Sequence, residues 1–345
     1  MEWVEVHAKA KWQYSTYTGS LGMIKNHIVP LIGHIGLQDV TPRDIDMMFD
    51  KLRDKKVFTY NTNQKRDEDI PCLSSTTLRH IWMIVNAAFE RAVTWKLIQE
   101  NPVTCDPPKK NKSTKTIWDA ETFRIALEDM KDQPLLHLAV HMAFVCSMRI
   151  GEVLGLTLDV LDFPNQRFYI GKTLQRVSKE ALEKLPKDNL IFVFPCKEGK
   201  KSVIILKKPK TESSNRSVYM TEKLVQEIQA RIEQIKREKV FMGDEYNNYN
   251  LLFAMEDGTP IEPKLCEKWF KKWQERTEHD FPELVFHGIR HSSTTYKLGI
   301  SSGDIKSVQG DTGHASAEMV VDIYSHIEDK KRVQLISAVE NDFYR

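Results

Sequence analysis

The amino-acid sequence predicts a two-domain protein, an all-α helical domain followed by an α+β domain that is mostly helical with a small antiparallel sheet. Its 345 residues exceed the roughly 250–300 at which a single core stops growing. Apolar residues recur at helical spacing through the first hundred residues, whereas strand-like runs rich in Val, Ile, Phe and Tyr appear only after residue 165. A polar, lysine-rich stretch separates the two regions.

Residues 1–104 are predicted to form the helical domain. One helix covers residues 20–34 and is expected to end or kink at Pro30, which has no backbone N–H to donate. A second begins at Thr41, because threonine followed by proline is typical of a helix start. A third opens near Ser74 and continues with apolar residues at helical spacing.

Residues 105–117 have the composition of a linker, since paired prolines oppose helix formation and no apolar residue separates the lysines. Two interpretations stay open: a solvated tether, or a strap along the phosphate backbone of a nucleic acid. The lysines concerned are Lys109, Lys110, Lys112 and Lys115.

Residues 118–345 are predicted to form the second domain, with helices at 119–131 and 134–147. The charged stretch 175–200 lies between strands and is expected to protrude, and the helical pattern returns from Thr221. Strands are predicted at residues 167–172, 190–194, 202–206 and 216–220.

The composition limits the class of protein. Lys+Arg total 50 against 48 for Asp+Glu, a net charge of +2, so a nucleic-acid-binding surface would have to concentrate its positive charge on one face. The five cysteines are odd in number and form no CxxC pair, which argues against a disulfide framework and a cysteine-based zinc site. The sequence contains no apolar run that could span a bilayer and no signal-peptide core, so we expect a cytoplasmic protein without a membrane partner.

Arg149 lies where one apolar helix is predicted to end and another to begin. Burying an arginine there is costly unless an anion pairs with it. An ion pair with Glu152 or Asp159 would be a structural explanation, and an anionic ligand a functional one. Residues 207–216, which include Lys210, join two predicted strands and are expected to form a basic hairpin turn.

Two later segments contain histidines. His287 and Arg290 are three residues apart and therefore share one face of a predicted helix. A metal site there is a weak alternative, because arginine is not a ligand. His314 follows a glycine, and Tyr324 lies on an amphipathic helix where a tyrosine is usually a packing residue.

Together these residue types supply what phosphoryl transfer without a metal requires. A phosphodiester gains charge on its non-bridging oxygens in the transition state, and guanidinium groups match those oxygens in bidentate fashion. An attacking phenol must lose a proton and a departing oxygen must gain one.

Through these motifs, the sequence resembles the tyrosine site-specific recombinase (phage integrase) family along nearly its whole length. The family pattern is an arginine, a turn lysine, His-x-x-Arg, a histidine after glycine and a tyrosine about ten residues later. Arg149 lies in a segment similar to the family's G-(L/M)-R-x-(G/S)-E element, with Ser147 in place of the glycine, and Lys210 matches the lysine of its x-K-T turn. The resemblance indicates an integrase of a mobile element, such as a prophage or a conjugative transposon, with residues 1–104 as its core-binding domain.

The resemblance also assigns the chemistry. The tyrosine attacks the scissile phosphate to form a 3′-phosphotyrosine, the two arginines stabilise the pentacoordinate phosphate, the lysine protonates the leaving 5′ oxygen, and the histidines orient the phosphate or assist proton transfer. No metal, ATP or other cofactor is implied. The catalytic residues are Arg149, Lys210, His287, Arg290, His314 and Tyr324.

The partners implied are double-stranded DNA, further copies of this chain in a tetramer on DNA, and accessory DNA-bending proteins, in a bacterial or phage-encoded system. An apolar stripe in residues 325–345 is expected to dock on the neighbouring protomer, with docking on its own catalytic domain as the alternative. The lysines expected to contact DNA are Lys109, Lys110, Lys112, Lys115 and Lys208.

Other functions stay open at this point. A type IB-like topoisomerase would use the same chemistry without strand exchange, and a catalytically silent DNA-binding regulator would keep the fold without cleavage. Many integrases carry an additional arm-binding domain before the core-binding domain, which here starts almost at Met1. Either this member lacks that domain or the chain is a truncated form.

Overall fold

The structure is a computed structural model that describes residues 2–8, 12, 14–57, 70–109, 116–313 and 316–318. It divides into two compact units, Met1–Thr114 and Lys115–Arg345. The first is helical, and the second combines helices with small antiparallel sheets. The predicted fold class is confirmed.

The described helices of the first unit are α1 (Tyr14–Met23), α2 (Val29–Ile32), α3 (Pro42–Arg53) and α4 (Ser75–Thr94), with π-helical turns at Val4–Ala8 and Ile24–Ile28. The single helix predicted for residues 20–34 is therefore α1, a π-helical turn and α2 in succession. Pro30 does not end it, because the helical conformation continues from the π-helical turn through Val29–Ile32. The helix ends instead at Gly33.

The starts of α3 and α4 agree with the predicted caps. The Thr41 side chain accepts a hydrogen bond from the Asp44 backbone N–H, and the Asp44 carboxylate accepts one from Thr41 in return. Ser74 caps α4 by accepting from the Thr77 backbone N–H. These helices enclose the core of the unit, made of Ile45, Met48, Phe49, Leu52, Leu78, Ile81, Val85 and Phe89.

The chain that leaves the first unit is held to α4. Trp82 Nε1 donates to the carbonyl of Cys105 at 3.0 Å, and Arg79 Nη1 donates to that of Pro108 at 3.3 Å. The first residues of the predicted linker thus pack along a helix. Lys109 is exposed. Lys110, Lys112 and Lys115 lie outside the described residues.

The second unit contains α5 (Ala120–Asp129), α6 (Pro134–Val145), α7 (Ile150–Leu154), α8 (Lys179–Glu183), α9 (Glu222–Met242), α10 (Pro263–Arg276), α11 (Phe286–Ile300) and α12 (Ile305–Thr312). Its strands are β1 (Leu161–Asp162), β2 (Arg167–Ile170), β3 (Thr173–Ser178), β4 (Leu190–Val193), β5 (Ser202–Lys207) and β6 (Arg216–Tyr219).

The strands form two three-stranded antiparallel sheets instead of the single predicted sheet, in the orders β1-β2-β6 and β3-β5-β4. The start of the stretch predicted to protrude belongs to β3, whose Thr173 and Ser178 lie opposite Lys207 and Ser202 of β5. Polar Gln175 and Arg176 weaken the alternation that would have predicted this strand.

The hairpin predicted for residues 207–216 is wrong. β5 pairs with β3 and β4, whereas β6 pairs with β2, where Ile170 lies opposite Arg216. Residues 208–215 therefore cross from one sheet to the other, with a 3-10 turn at Glu212–Ser214. Consecutive strand-like runs usually pair, but each of these strands finds a partner elsewhere.

Helix α6 runs through the core of the second unit, with Ala139, Val140, Met142 and Ala143 fully buried. It is joined to α11 by hydrogen bonds. Ser293 Oγ of α11 donates to the carbonyl of Phe144, and it lies 2.6 Å from Ser147 Oγ just beyond the end of α6. These contacts hold together the two segments that carry the predicted arginines.

Two further observations concern the chain as a whole. None of the helices described by the structure is long and apolar enough to cross a membrane. All five cysteines carry free thiols, in agreement with the expectation from their spacing.

Candidate active site

The turn between α6 and α7 presents Arg149. Ser147 in this turn has a φ of +50°, which is the left-handed region that costs a residue with a Cβ about 1–2 kcal/mol. The family element that this segment resembles has glycine here, and glycine adopts this conformation without strain. The hydrogen bond between the Ser147 and Ser293 hydroxyls offsets part of the cost in this chain.

Glu152 is the carboxylate around which the site is built, and it is buried. Its Oε2 accepts from the Arg149 backbone N–H at 3.0 Å, and its Oε1 accepts from Arg149 Nη1 at 2.7 Å. Arg216 Nη2 donates to Oε2 at 3.2 Å, and Arg290 Nη1 lies 3.9 Å from the same oxygen. Three guanidinium groups share one carboxylate, so the cluster keeps an excess of positive charge.

Arg290 extends from α11 into this cluster and is 1% exposed. Its Nη1 donates to the carbonyl of Ser147 at 2.6 Å. Its Nη2 is buried and, within the described residues, has no hydrogen-bond partner. Leaving a buried charged donor without an acceptor is costly, about 1–3 kcal/mol or more, and an anion that reached this atom would remove that cost.

Arg216 is a member of the cluster that the sequence prediction did not include. It is buried and donates through Nε to the carbonyl of Asp311 at 3.0 Å and through Nη2 to that of Ser147 at 3.4 Å. One feature of the sequence indicated it. Arg216 and Val218 are two residues apart in a strand and therefore face the same side, so this arginine points towards the core.

The charges in the cluster shift each other's pKa values. Burial alone would raise the pKa of Glu152, but the positive charges of Arg216 and Arg149 outweigh it and lower that pKa. Burial, and then repulsion from Arg149, lower the pKa of Arg290 to about 9, against the opposing attraction of Glu152. A second anion in the cluster would therefore stabilise the charged form of Arg290.

The cluster opens to solvent at Arg149, whose side chain is 35% exposed against 2% for Arg290. Arg149 Nη1 lies within 3.4 Å of Ser214 Oγ, which in turn lies 2.9 Å from Thr211 Oγ1. Residues 208–215, which cross between the two sheets, thus contact the arginine cluster close to Lys210. Lys210 is exposed, and the pKa of the neighbouring, half-buried Lys207 is lowered by burial and by the charge of Lys210.

Of the remaining predicted residues, His287 lies at the start of α11 and Lys208 directly after β5. His287 is exposed in the first turn of α11, one turn before Arg290, and its ring centroid is 4.8 Å from that of His291. His314 and Tyr324 lie outside the described residues. Lys208 is exposed, and its backbone N–H donates to the carbonyl of Asn189, immediately before β4.

The end of α12 is fixed immediately before His314. Gly313 ends the helix with a φ of +65°, and a Cβ at this position would lie 2.9 Å from both Arg216 Nη1 and the carbonyl of Ser213. Arg216 also holds the carbonyl of Asp311. Only glycine fits here, so the chain leaves α12 in close contact with the arginine cluster.

The arrangement is a partly exposed cluster of arginines whose charge can accept an oxyanion. Guanidinium donors from Arg149 and Arg290 converge around a carboxylate that cannot neutralise both, which suits a phosphate group. Such a site binds and stabilises charge on phosphate oxygens.

Comparison with known proteins identifies the family of the chain. Residues 119–331 match the model of the phage integrase family, and residues 1–53 match that of the phage integrase N-terminal SAM-like domain. The chain belongs to the phage integrase family, and the resemblance inferred from its motifs is confirmed.

Among curated relatives, the chain is 25% identical over 283 residues to a XerC-like tyrosine recombinase of Caldanaerobacter subterraneus subsp. tengcongensis, covering 79% of this chain and 67% of that protein. It is 26% identical over 267 residues to the transposase of transposon Tn916 from Enterococcus faecalis, covering 72% of this chain. The chain spans only 58% of the length of that transposase.

Among solved structures, the integrase of transposon Tn1549 in complex with a circular intermediate DNA superposes with a TM-score of 0.71 at 20% identity, covering 97% of this chain and 96% of that one. A lambda integrase dimer bound to a core site gives a TM-score of 0.59 at 15% identity, covering 95% and 94%. These likenesses establish a shared fold.

Proposed function

We propose that this protein is a site-specific DNA recombinase that cuts and rejoins double-stranded DNA through a 3′-phosphotyrosine at Tyr324, in the integration and excision of a mobile element. One observation carries the proposal. Arg290 Nη2 is buried without an acceptor in the described structure, in a cluster where three guanidinium groups share the single carboxylate of Glu152. A scissile phosphate would supply the missing acceptor.

In the proposed reaction the phosphate enters at the exposed edge of the cluster, beside Arg149. Arg149 and Arg290 bind its non-bridging oxygens, and they do so more tightly as those oxygens gain charge in the transition state. Glu152 and Arg216 do not contact the phosphate. They hold the two catalytic guanidinium groups in place. Glu152 accepts a hydrogen bond from Arg149, and Arg216 donates to the Ser147 carbonyl, to which Arg290 also donates.

The proton transfers are assigned to side chains around this cluster. Tyr324 attacks phosphorus and loses its phenolic proton, the bond to the 5′ oxygen breaks, and Lys210 gives that oxygen a proton. His287 and His314 orient the phosphate or assist these transfers. The tyrosyl ester conserves the energy of the broken diester, so rejoining requires no ATP, and no step requires a metal ion.

The names of relatives and neighbours support the cellular role. They include transposases of Tn916 and Tn1545, a probable integrase of prophage ps2 from Lactococcus lactis, and the Tn1549 integrase. A lambda integrase tetramer has been observed bound to a Holliday junction. We extend the same assembly to this chain, with four copies on two DNA sites and the segment after Tyr324 docked on a neighbouring copy.

The two units are assigned complementary parts in this proposal. The helical domain and the lysines from Lys109 to Lys115 bind the duplex, and the catalytic domain binds it as well, with Lys208 near the phosphate backbone. Accessory DNA-bending proteins would bring distant sites together, in the cytoplasm of a bacterial host.

The test is a suicide-substrate assay on the end sequence of the cognate element, in which a nick lets the cleaved fragment diffuse away. We expect a protein–DNA adduct that survives denaturation, and Tyr324→Phe should bind DNA and form none. Adduct with the phenylalanine variant would move the nucleophile to another residue. Binding without adduct would indicate a regulator, and DNA relaxation without strand exchange between two duplexes would indicate a topoisomerase.

A further inference from the structure

Two histidines and a glutamate of the second unit converge away from the arginine cluster. His137 and His141 are four residues apart on α6 and share one face of it, and Glu227 reaches them from α9. Their ligand atoms all lie within 4.8 Å of one another. It is the only such group of histidine, cysteine and carboxylate side chains in the described part of the chain.

The separations lie on either side of those between the ligands of a metal ion. His141 Nδ1 lies 2.7 Å from Glu227 Oε2, and His137 Nε2 lies 3.4 Å from Glu227 Oε1. Ligands at 2.0–2.1 Å in a tetrahedron around Zn²⁺ stand roughly 3.3 Å apart. Small side-chain movements would bring both histidine nitrogens and one oxygen of Glu227 to coordination distance.

The hydrogen bond at Nδ1 of His137 leaves the lone pair of its Nε2 free to bind a cation. Its Nδ1 lies 2.8 Å from the carbonyl of Leu127, and because a carbonyl can only accept, the proton is on Nδ1. In the neutral ring Nε2 then has a lone pair that faces a carboxylate oxygen, which also has only lone pairs. A cation between these two atoms, which are 3.4 Å apart, would satisfy both lone pairs. A backbone carbonyl bound to the distal nitrogen is the usual support of a metal-binding histidine.

The surroundings limit the affinity without blocking the site. His137 and Glu227 line a cavity of about 620 Å³ that would leave room for a fourth, non-protein ligand. Several cationic side chains line the cavity too, but Arg231 is paired with Glu238 at 2.7 Å and Lys131 with Glu128. Lys223 and Arg237 add positive charge.

We propose that His137, His141 and Glu227 bind a divalent transition-metal ion, with Zn²⁺ as the probe, and that the ion joins α6 to α9. Two imidazoles with one carboxylate and an open position are a known zinc-binding set. With three protein ligands and cationic neighbours, we expect a Kd on the order of 1 µM, weaker than closed structural sites. Helix α6 leads directly into the Arg149 turn, so the ion would brace the segment that presents that arginine.

The experiment titrates Zn²⁺ into the full chain against a chromophoric chelator and follows the melting temperature. We expect one equivalent bound and a rise of about 5 °C at a hundredfold excess over Kd. His137→Gln and Glu227→Gln should each weaken binding at least tenfold and remove the rise. His279→Gln, which changes an exposed histidine of the same unit, should leave both unchanged.

A second measurement identifies the ligands. Co²⁺ should give the visible absorption of a site with nitrogen and oxygen ligands. An intense near-ultraviolet thiolate band would assign the ion to cysteines and overturn the proposal. Binding weaker than 100 µM, or equal binding by wild type and His137→Gln, would overturn it as well and leave the triad as an ion pair. Neither readout depends on DNA cleavage, so the result is separate from the proposed recombinase activity.

Discussion

Arg216 and Glu152, 64 residues apart in the sequence, form a buried ion pair in which Nη2 lies 3.2 Å from Oε2. The same guanidinium group holds the carbonyls of Ser147 and Asp311. It therefore connects the turn that presents Arg149 with the helix end that precedes His314. Arg216 is a positioning residue in this site, because its donors are used by protein acceptors.

The substitution Arg216→Lys tests whether Arg216 acts by holding several acceptors at once or only by its positive charge. Lysine keeps the positive charge but cannot reach several carbonyls and a carboxylate at once. We expect cleavage to fall by about 10- to 100-fold while DNA binding is kept, measured by single-turnover adduct formation. Arg231→Lys is the matched control, because Arg231 is also buried and holds two carbonyls and a glutamate outside the cluster. Equal losses in both variants would mean that only folding was affected.

The substitution Arg149→Lys should lower the cleavage rate more than Arg216→Lys does. If Arg149 binds the phosphate, its loss resembles removal of one preorganised oxyanion donor, which costs about 100-fold or more in rate. The same assay at saturating DNA measures the effect on chemistry. A rate close to wild type would show that Arg149 has only the structural role of pairing with Glu152.

Glu152 should make the stability of the catalytic domain depend on pH. Its pKa in the folded state is lowered, on balance, by Arg216 and Arg149, so folding is stabilised while the carboxylate is ionised. That contribution is complete above the unfolded pKa of roughly 4.3 and is lost as pH falls through the lower folded pKa. Denaturant unfolding between pH 7 and pH 3 should show it.

Glu152→Gln is the comparison for this pH dependence. It should be less stable at pH 7 by roughly 3–5 kcal/mol, because the arginines lose their buried counter-charge, and its stability should vary less with pH. Parallel pH profiles for wild type and Glu152→Gln would contradict the assignment.

The substitution Ser147→Gly should leave the free energy of unfolding nearly unchanged. Glycine removes the strain of a φ of +50°, a gain of about 1 kcal/mol, and loses the hydrogen bond to Ser293, which contributes about the same. Ser147→Ala keeps the strain and loses the bond, so we expect it to lower the free energy of unfolding by about 1–2 kcal/mol. Equal destabilisation in both variants would show that the positive φ of Ser147 does not lower the stability of the protein.

Lys210→Ala should be rescued by a better leaving group. If Lys210 protonates the 5′ oxygen, a substrate with a bridging 5′ sulfur needs no such proton, since the thiolate is a far weaker base. The variant should cleave the normal linkage slowly and the sulfur linkage at close to the wild-type rate. Without rescue, the acid would have to be sought among Lys207, Lys208 and His287.

The sequence by itself determined the class of fold, the family and the candidate catalytic residues. Helix caps such as Thr41 and Ser74, the apolar periodicity and the short motifs around Arg149 and Arg290 depend on residues close together in the chain. That Ser147 replaces a glycine was also visible there. Local patterns of this kind can be recognised without knowing the tertiary structure.

The tertiary structure alone decided how distant segments combine. It separated β5 from β6 into different sheets, which turned a predicted hairpin into a crossing, and it brought Arg216 from β6 to Glu152 at the start of α7. It also joined His137 and His141 to Glu227, a residue from another helix. Strand partners and buried charge pairs are chosen by which surfaces meet when the chain becomes compact, and the energy of a buried arginine depends on those neighbours and not on its own segment.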